Sequence, residues 1–428
     1  MTRGVVPAAF AVLILLAACA EQPPPALPPP TATAAPAGGE HLTLTQVDFT
    51  ALPGWRDDAQ GEAIVALKRS CARLVELPAT QPIGHDGTAG SAGDWLGPCG
   101  ALRDLDISNN DVVRAYFETW FAPFRASATD GKADGLFTGY YEAELKGSLT
   151  KQGKFKIPLY ARPDDLLAID LAPFEADLAG RRIWGRLDGN RLVPYWTRAE
   201  IDGGALGERA HPLIWVDDAV DAHILSIQGS GRIALPDGGV VRVGFDGTNG
   251  RTFLGLTRIL LDAGKLAPDQ STMPETRAWL EAHPAEAAAL MEKNPRYIFF
   301  RMIEGDGPVG AEGVPLTPQR SLAVDTRFVP LGVPLWLATT LPDGAPFRHA
   351  MVAQDTGAAI KGPVRGDIFW GTGAAAFAQA GRMKNRGTIY LLLPRKRSVP
   401  VANATTGHDI VDTGARFDLA ASWTADRP

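Results

Sequence analysis

Between residues 136 and 395 the chain alternates between short apolar runs and turn-forming residues. Gly, Pro, Asp and Asn separate the runs at short intervals. Such runs, apolar throughout or alternating with polar residues, are typical of β-strands. They predict strands at 136–145, 191–196, 211–216, 222–227, 240–245, 298–303, 322–324, 333–337, 349–354, 368–369 and 388–393. Short strands with frequent turns indicate a mainly β chain that forms a sandwich or a barrel.

Three segments are predicted to be helical instead. Ile64, Leu67, Cys71 and Leu74 recur at helical spacing and predict a first helix. A second helix is predicted after the capping candidates Asn109 and Asn110, with an apolar face formed by Val112, Val113, Tyr116, Phe117, Trp120, Phe121 and Phe124. A third, rich in Ala and Glu, is predicted over 274–293. Because packing produces helical spacing, we expect the aromatic face to lie in the core.

Residues 1–19 have the features of a lipoprotein signal peptide. Arg3 supplies positive charge, and an apolar run over 5–18 ends in the sequence LAAC at 16–19. The run is too short for a convincing membrane-spanning helix. Small residues before a cysteine form a lipobox, so Cys19 is predicted to be acylated and to become the mature N-terminus. An ordinary signal peptide with an incidental cysteine is the alternative.

The segment that follows predicts a tether. Residues 20–41 are rich in Pro and Ala and cannot bury enough apolar surface to fold, and their prolines favour an extended chain. A lipid anchor followed by a spacer suits an enzyme that must reach a polymer beyond the membrane. Ala20 is not an aspartate, so resemblance to bacterial lipoproteins implies an outer-membrane protein that faces the periplasm.

Two cysteines remain once Cys19 is set aside. Export would place Cys71 and Cys99 in an oxidising compartment, where an even number allows a disulfide between them. Two separate buried thiols are the alternative. Neither HExxH nor CxxC occurs, so no metal site is predicted. The formal charge of −6, from 42 basic and 48 acidic residues, does not indicate a nucleic-acid-binding protein.

Residues 321–373 hold the most specific pattern. They contain SLAVDTRFVPLGVPLWL at 321–337 and MVAQDTGAAIKGPVRGDIFWGTG at 351–373. Asp325, Asp355 and Asp367 each follow or open a strand-like run, and glycines surround the last two. A single aspartate before glycine commonly binds only its own turn. Three of them at strand ends indicate carboxylates held in a cleft on a rigid scaffold.

This stretch resembles the three-aspartate, or 3D, domain of the membrane-bound lytic murein transglycosylase A family. Upstream motifs extend the resemblance over roughly residues 100–395: FTGYYE at 137–142, IQGSG at 227–231, Asn-Gly at 249–250, and Asn-Pro at 294–295 with Phe-Phe at 299–300. In such domains the aspartates lie in a six-stranded double-psi β-barrel.

The resemblance implies two domains. Residues 42–141 and 307–400 would form the catalytic double-psi barrel with the N-terminal helices. Residues 142–306 would form a smaller β-barrel inserted into it, and a groove between the two would bind a long polymer. Residues 401–428 are predicted to be a weakly ordered tail.

Residue roles carry over from the matching motifs. The third aspartate is the family's catalytic acid, here Asp367, and Asp325 and Asp355 would support it. The residues implied to line the sugar groove are Thr138, Gly139, Tyr140, Gln228 and Ser230. Trp336 lies in an alternating strand and is expected in the core.

The implied activity is non-hydrolytic cleavage of peptidoglycan glycan strands between N-acetylmuramic acid and N-acetylglucosamine. One carboxyl protonates the glycosidic oxygen, and the muramyl 6-hydroxyl then closes a 1,6-anhydro ring, so no metal or cofactor is implied. Repulsion from neighbouring carboxylates and burial by Phe369 and Trp370 would raise the pKa of Asp367, while Arg365 and Lys361 would oppose that shift if they pointed inward. Glycan strands are the implied partner, and a cell-wall synthesis complex remains open as a protein partner.

Three alternatives compete with this interpretation. Asp355-Thr356-Gly357 and a copy at 412–414 suggest an aspartic protease, but only 14 residues follow the second copy and no second lobe fits behind it. A peptidoglycan-binding lipoprotein without activity could share the scaffold. A hydrolytic endoglycosidase would leave reducing ends rather than anhydro ends.

Overall fold

The structure is a computed structural model that describes residues 1, 40–178, 181–305 and 307–395. The predicted acylation of Cys19, nearly all of the tether, the tail 401–428 and the second Asp-Thr-Gly therefore lie outside the described residues. The described residues from Glu40 onward belong to one compact unit. None of the helices described is long and apolar enough to cross a membrane.

The described chain is mainly β with some helices, as predicted. Its strands are β1 Thr43–Gln46, β2 Phe121–Ser127, β3 Gly135–Ser148, β4 Ile157–Tyr160, β5 Leu167–Asp170, β6 Arg182–Asp188, β7 Arg191–Pro194, β8 Pro212–Val216, β9 Ser230–Ala234, β10 Val240–Thr248, β11 Ile298–Ile303, β12 Ser321–Val324, β13 Pro334–Thr340, β14 Pro346–Asp355, β15 Arg365–Thr372 and β16 Lys384–Pro394. Its helices are α1 Gly61–Leu74, α2 Ala92–Ala101, α3 Asn110–Trp120, α4 Arg198–Asp202, α5 Ala219–Gln228, α6 Leu256–Asp262, α7 Met273–Ala282, α8 Pro284–Met291 and α9 Gly373–Ala380.

Six strands close into a first barrel. β16 pairs with β13, β13 with β14, β14 with β12, β12 with β15, β15 with β3, and β3 returns to β16. The β12–β14 and β15–β3 pairings are parallel and the others are antiparallel. A six-stranded barrel is therefore present where one was predicted, while the double-psi crossing of its connections stays a prediction.

A second ring of strands shares β3 with the first barrel. Its later residues pair with β9 and then with β8. β9, β10 and β11 follow in antiparallel order, β8 pairs with β4, and a bridge between Ala161 and Phe300 joins the β4 side to β11. The change of partner falls between Glu142, opposite Thr372, and Ala143, opposite Gly231. One strand of 14 residues thus runs through both rings.

The N-terminal helices pack on the first barrel around buried aromatic rings. Trp336 is fully buried, as predicted, and meets Trp55 edge-on at 5.1 Å between ring centroids. A disulfide joins Cys71 on α1 to Cys99 on α2, with 5.4 Å between their Cα atoms. The choice between a disulfide and two separate thiols is thereby settled in favour of the disulfide.

The second predicted helix is shorter than its apolar pattern. α3 ends at Trp120, and both Phe121 and Phe124 lie on β2. Pro123 explains the end, since it disfavours the helical conformation of the residue before it. The aromatic face is still core, because Tyr116 and Phe117 are buried.

Two other assignments were wrong. Residues 222–227, predicted as a strand, lie in α5, which begins where Asp218 caps the backbone N–H of Asp221 and ends at Gly229 in the left-handed conformation, with φ of 84°. A short apolar run does not by itself distinguish a strand from a buried helix. The helix predicted over 274–293 is two helices, α7 and α8, because Pro284 cannot continue α7.

Candidate active site

Strand pairing sets four residues in one row across the first barrel. Thr138 on β3 lies opposite Asp367 on β15, Asp367 opposite Ala323 on β12, and Ala323 opposite Asp355 on β14. Directly paired residues present their side chains on the same face of a sheet. With strands about 4.8 Å apart, the Cα atoms of the two aspartates lie roughly 10 Å apart, on either side of an alanine.

Asp367 is half-buried and held by a hydroxyl. The Thr138 hydroxyl donates to Oδ1 of Asp367 over 2.6 Å, and Nη2 of Arg365 donates to that hydroxyl over 2.9 Å. Oδ2 of Asp367 makes no hydrogen bond to the described residues. Thr138 therefore orients the carboxyl by one oxygen and leaves the other available.

Burial raises the pKa of Asp367 to about 6, against opposition from the Thr138 hydrogen bond and the Arg365 charge. Repulsion from Asp355 adds to the increase, but it is the smallest of these influences. Both causes predicted from the sequence therefore raise the pKa, and burial is the larger, because β12 lies between the strands of the two aspartates. Arg365 points inward and opposes the shift, whereas Lys361 is exposed.

Asp355 accepts a hydrogen bond from Tyr140, which lies two residues after Thr138 on β3. The Tyr140 hydroxyl donates to Oδ2 of Asp355 over 2.9 Å, and the backbone N–H groups of Ala311 and Thr356 donate to Oδ1, each over 2.9 Å. Burial raises the pKa of Asp355, while these three hydrogen bonds oppose the increase. The Tyr140 ring is only 8% exposed and packs on Phe369 at 5.3 Å. It is not open for stacking on a sugar, so its hydroxyl is the group that serves the site.

Asp325 supports the loop between the other two aspartates. It is buried, pairs with Arg327 through Oδ2 and Nη2 at 2.5 Å, and accepts the backbone N–H of Gly362 over 2.9 Å. Burial would raise the pKa of Asp325, but the hydrogen bonds from Arg327 and Gly362 outweigh it and hold the pKa below its ordinary value. An ionised aspartate tied to backbone suits a structural role.

The remaining predicted residues lie where β3 passes from one ring to the other. Oε1 of Gln228, at the end of α5, accepts the backbone N–H of Tyr141 over 3.0 Å, and Ser230 begins β9. Gly139 has a packing role, since a Cβ there would lie 2.5 Å from Nε1 of Trp370 and 2.7 Å from Cα of Ala380.

The sequence reasoning missed the hydrogen bonds that hold the carboxyls of Asp367 and Asp355. Arg365 was considered only as a charge, and the hydroxyls of Thr138 and Tyr140 only as groove lining. Strand alternation was the available signal, because residues two apart on β3 and on β15 share a face. Among the described residues, no group of three or more His, Cys, Asp or Glu side chains is placed to hold a metal ion.

Two family models match the chain. One, described as the MltA specific insert domain, covers residues 136–301, and the other, described as the 3D domain, covers residues 320–393. The membrane-bound lytic murein transglycosylase A of Escherichia coli strain K12 is 31% identical over 308 residues, which make up 70% of this chain and 73% of that relative. The chain belongs to the membrane-bound lytic murein transglycosylase A family.

Solved structures in this family have the same fold. A membrane-bound lytic murein transglycosylase from Agrobacterium tumefaciens is 32% identical, with a TM-score of 0.71 over 82% of this chain and 98% of the other. MltA from Neisseria gonorrhoeae is 32% identical, with a TM-score of 0.70 over 84% and 94%. E. coli MltA with bound chitohexaose is 25% identical, with a TM-score of 0.62 over 83% and 94%.

In this member of the membrane-bound lytic murein transglycosylase A family, the candidate site takes residues from both matched segments. The 3D segment contains β12 to β16, with Asp325, Asp355 and Asp367. The insert segment begins within β3 and supplies Thr138 and Tyr140. Because the chain belongs to this family, we reject the alternative that it is an aspartic protease.

Proposed function

We propose that this protein is a lytic transglycosylase that cleaves peptidoglycan glycan strands between N-acetylmuramic acid and N-acetylglucosamine, with Asp367 as the acid and then the base. The observation that carries the proposal is the half-buried Asp367, whose pKa is raised to about 6. About a tenth of such a carboxyl is protonated at pH 7, compared with well under 1% for an ordinary aspartic acid. The names of the relatives specify murein as what they act on, and E. coli MltA has been solved with bound chitohexaose.

The reaction uses the Asp367 carboxyl twice, first as a proton donor and then as a proton acceptor. With Thr138 bound to Oδ1, the free Oδ2 of Asp367 carries the proton to the glycosidic oxygen. The bond from C1 to that oxygen breaks, and N-acetylglucosamine leaves with a hydroxyl. The muramyl 6-hydroxyl bonds to C1 and passes its proton to the carboxylate, which restores the acid. Because the attack is intramolecular, the substrate itself supplies most of the positioning.

Asp355 is poorly placed to activate water for a hydrolytic reaction. A second carboxyl in a hydrolytic glycosidase must face the sugar, where it activates water or attacks the anomeric carbon. Three hydrogen bonds already fall on the two oxygens of Asp355, and they come from Tyr140, Ala311 and Thr356. This favours the lytic reaction over the hydrolytic alternative.

We place the glycan along the junction of the two rings. β3 carries Thr138 beside Asp367 and changes partners five residues later, at Ala143, about 16 Å along the strand. Gln228 and Ser230 lie at the same junction, where α5 ends and β9 begins. A groove at this junction would let a polymer pass Asp367 while contacting both rings.

The products distinguish the proposed reaction from its alternatives. We expect murein digested with the full chain to yield muropeptides that end in 1,6-anhydro-N-acetylmuramic acid, detected by mass spectrometry 18 mass units below the reducing forms. Reducing ends would instead establish a hydrolase. Intact murein that sediments with the protein would indicate a binding protein without activity.

Thr138→Val should slow cleavage and move its pH dependence. Cleavage by the wild-type enzyme should decrease as pH rises through about 6, because Asp367 then loses its proton. The Thr138 hydrogen bond lowers the pKa of that carboxyl, so its removal should move the alkaline limb of kcat/KM to higher pH. Thr150→Val, at an exposed position, is the matched control and should leave the profile unchanged. If Thr138→Val is slower but the alkaline limb of its kcat/KM profile stays at the wild-type pH, Thr138 does not act through the pKa of Asp367.

We also propose that the protein lies in the cell envelope, since its relatives are named membrane-bound. Acylation at Cys19 would anchor it to the outer membrane facing the periplasm, and residues 20–41 would let it reach the wall. Radiolabelled palmitate should label the wild-type chain in its host and not Cys19→Ala. Equal labelling of the two would rule out this anchor.

A further inference from the structure

A cavity of about 400 Å³ lies between the strand face of β4, β8 and β11 and the helices α4, α5 and α8. This volume is at the small end of the range that holds small-molecule ligands in proteins. Its apolar walls include Ile157, Leu159, Tyr160, Trp215, Met291 and Phe300. None of the residues that line it belongs to the candidate active site.

Arg198 lies buried in the lining of this cavity. Its side chain has 7% of its surface exposed, Nε donates to the carbonyl of Arg296 over 3.2 Å, and Nη2 donates to the Ser226 hydroxyl over 3.0 Å. The guanidinium also lies 4.9 Å from the centre of the Tyr297 ring. Nη1 makes no hydrogen bond to the described residues, and no carboxylate oxygen among them lies within 4.0 Å. The exposed Asp202 interacts with Arg198 only at longer range. A buried cation without a close counter-ion is costly, so this arrangement favours an anion in the cavity.

The other charged residues around the cavity favour an anion with a single negative charge. His223 is buried beside Arg198, and burial and that neighbouring charge lower the pKa of its imidazole, so it adds no positive charge near neutrality. Asp202 and Glu292 are exposed members of the lining, as are Lys151 and Lys156. One fixed cation with acidic neighbours suits a single negative charge better than a dianion such as phosphate. A guanidinium also matches the planar geometry of a carboxylate.

We infer that this cavity binds a small monocarboxylate with an apolar body, with its carboxylate on Arg198 and its apolar body against Trp215 and Phe300. The site does not depend on Asp367 or on glycan cleavage, so either conclusion can fail without the other. Its ligand class is set by one buried charge and an apolar wall.

Calorimetric titration of the full chain with N-acetylleucine tests the inference. A dissociation constant on the order of 1 mM is expected for a ligand of about a dozen heavy atoms. N-acetylleucinamide has the same apolar body without the charge and should bind at least tenfold more weakly. Arg198→Gln should weaken binding of the acid by a similar factor, while Arg191→Gln, at an exposed position, should leave it unchanged.

A second variant tests the site independently, in case Arg198→Gln does not fold. Ala222→Leu on α5 fills part of the cavity and leaves Arg198 in place, and it should also abolish binding of N-acetylleucine. Equal affinity for the acid and the amide would overturn the role of Arg198. Binding that survives Ala222→Leu would place the ligand elsewhere. A lack of binding by the wild-type chain at a ligand concentration 20-fold above the expected dissociation constant would overturn the proposed site.

Discussion

Replacing Asp367 with Asn should lower the rate of glycan cleavage by a factor on the order of 10³ while the protein stays folded and binds glycan, because a positioned general acid contributes about 10²–10⁴ to a rate. Asn keeps the shape of the side chain and can still accept the Thr138 hydrogen bond, but it has no proton to give. Release of anhydro-muropeptides by purified variants, measured by mass spectrometry, is the appropriate assay. Asp104→Asn, at an exposed position, is the matched control and should cleave normally.

The same substitution should stabilise the fold above about pH 6. The pKa of Asp367 is raised from 3.8 to about 6, so the folded state disfavours the ionised carboxyl. Below about pH 4 the carboxyl is protonated in both states and the penalty vanishes; it grows between pH 4 and 6 and is constant above. Two pKa units correspond to about 3 kcal/mol, which is the upper limit for the gain. Urea unfolding at pH 4 and pH 8 measures it.

A folded Asp367→Asn variant that still releases anhydro-muropeptides at a rate near that of the wild type would contradict the assignment of the acid. The cooperative urea transition of the variant establishes that it is folded.

Arg320→Met should lower the free energy of unfolding by about 3 kcal/mol, because it removes the ion-pair partner of the buried Asp58 carboxylate. Asp58 would keep only its contact with His349 and the hydrogen bond from the backbone N–H of Ala350. Arg320 is 2% exposed and its Nη1 lies 2.7 Å from Oδ2 of the fully buried Asp58. Its other nitrogens bind Glu62 and the carbonyl of Ala59, so one guanidinium joins the N-terminal segment to the barrel. Arg320 also directly precedes β12, the strand that separates Asp355 from Asp367.

Glu62→Gln is the matched control for this prediction. The Glu62 side chain is 66% exposed, so its ion pair with Arg320 is screened by water and its loss should cost less than about 1 kcal/mol. Adding Asp58→Asn to Arg320→Met should recover part of the lost stability, because it removes a buried charge that has lost its guanidinium partner. Urea denaturation of the four proteins measures these differences. A cost for Arg320→Met no larger than that for Glu62→Gln would show that the buried pair contributes little.

Local patterns in the chain were sufficient for much of the fold. Alternating runs bounded by turn residues predicted the strand that became β3 and most strands of the 3D segment, because a strand half-buried on one face needs that alternation. Where a run was short and apolar on all sides, as at 222–227, the pattern could not separate strand from helix. The capping by Asp218 and the turn at Gly229 decided that segment.

The sequence by itself determined which residue types stand at which strand ends: three aspartates, glycine turns and two cysteines available for a disulfide. Only the tertiary structure decided that Thr138 meets Asp367 across 229 positions of the chain and that Tyr140 meets Asp355 across 215. Register between distant strands depends on closing the whole barrel, which no local pattern encodes. The raised pKa of Asp367 likewise arises from burial by distant segments, and burial exists only once the chain has folded.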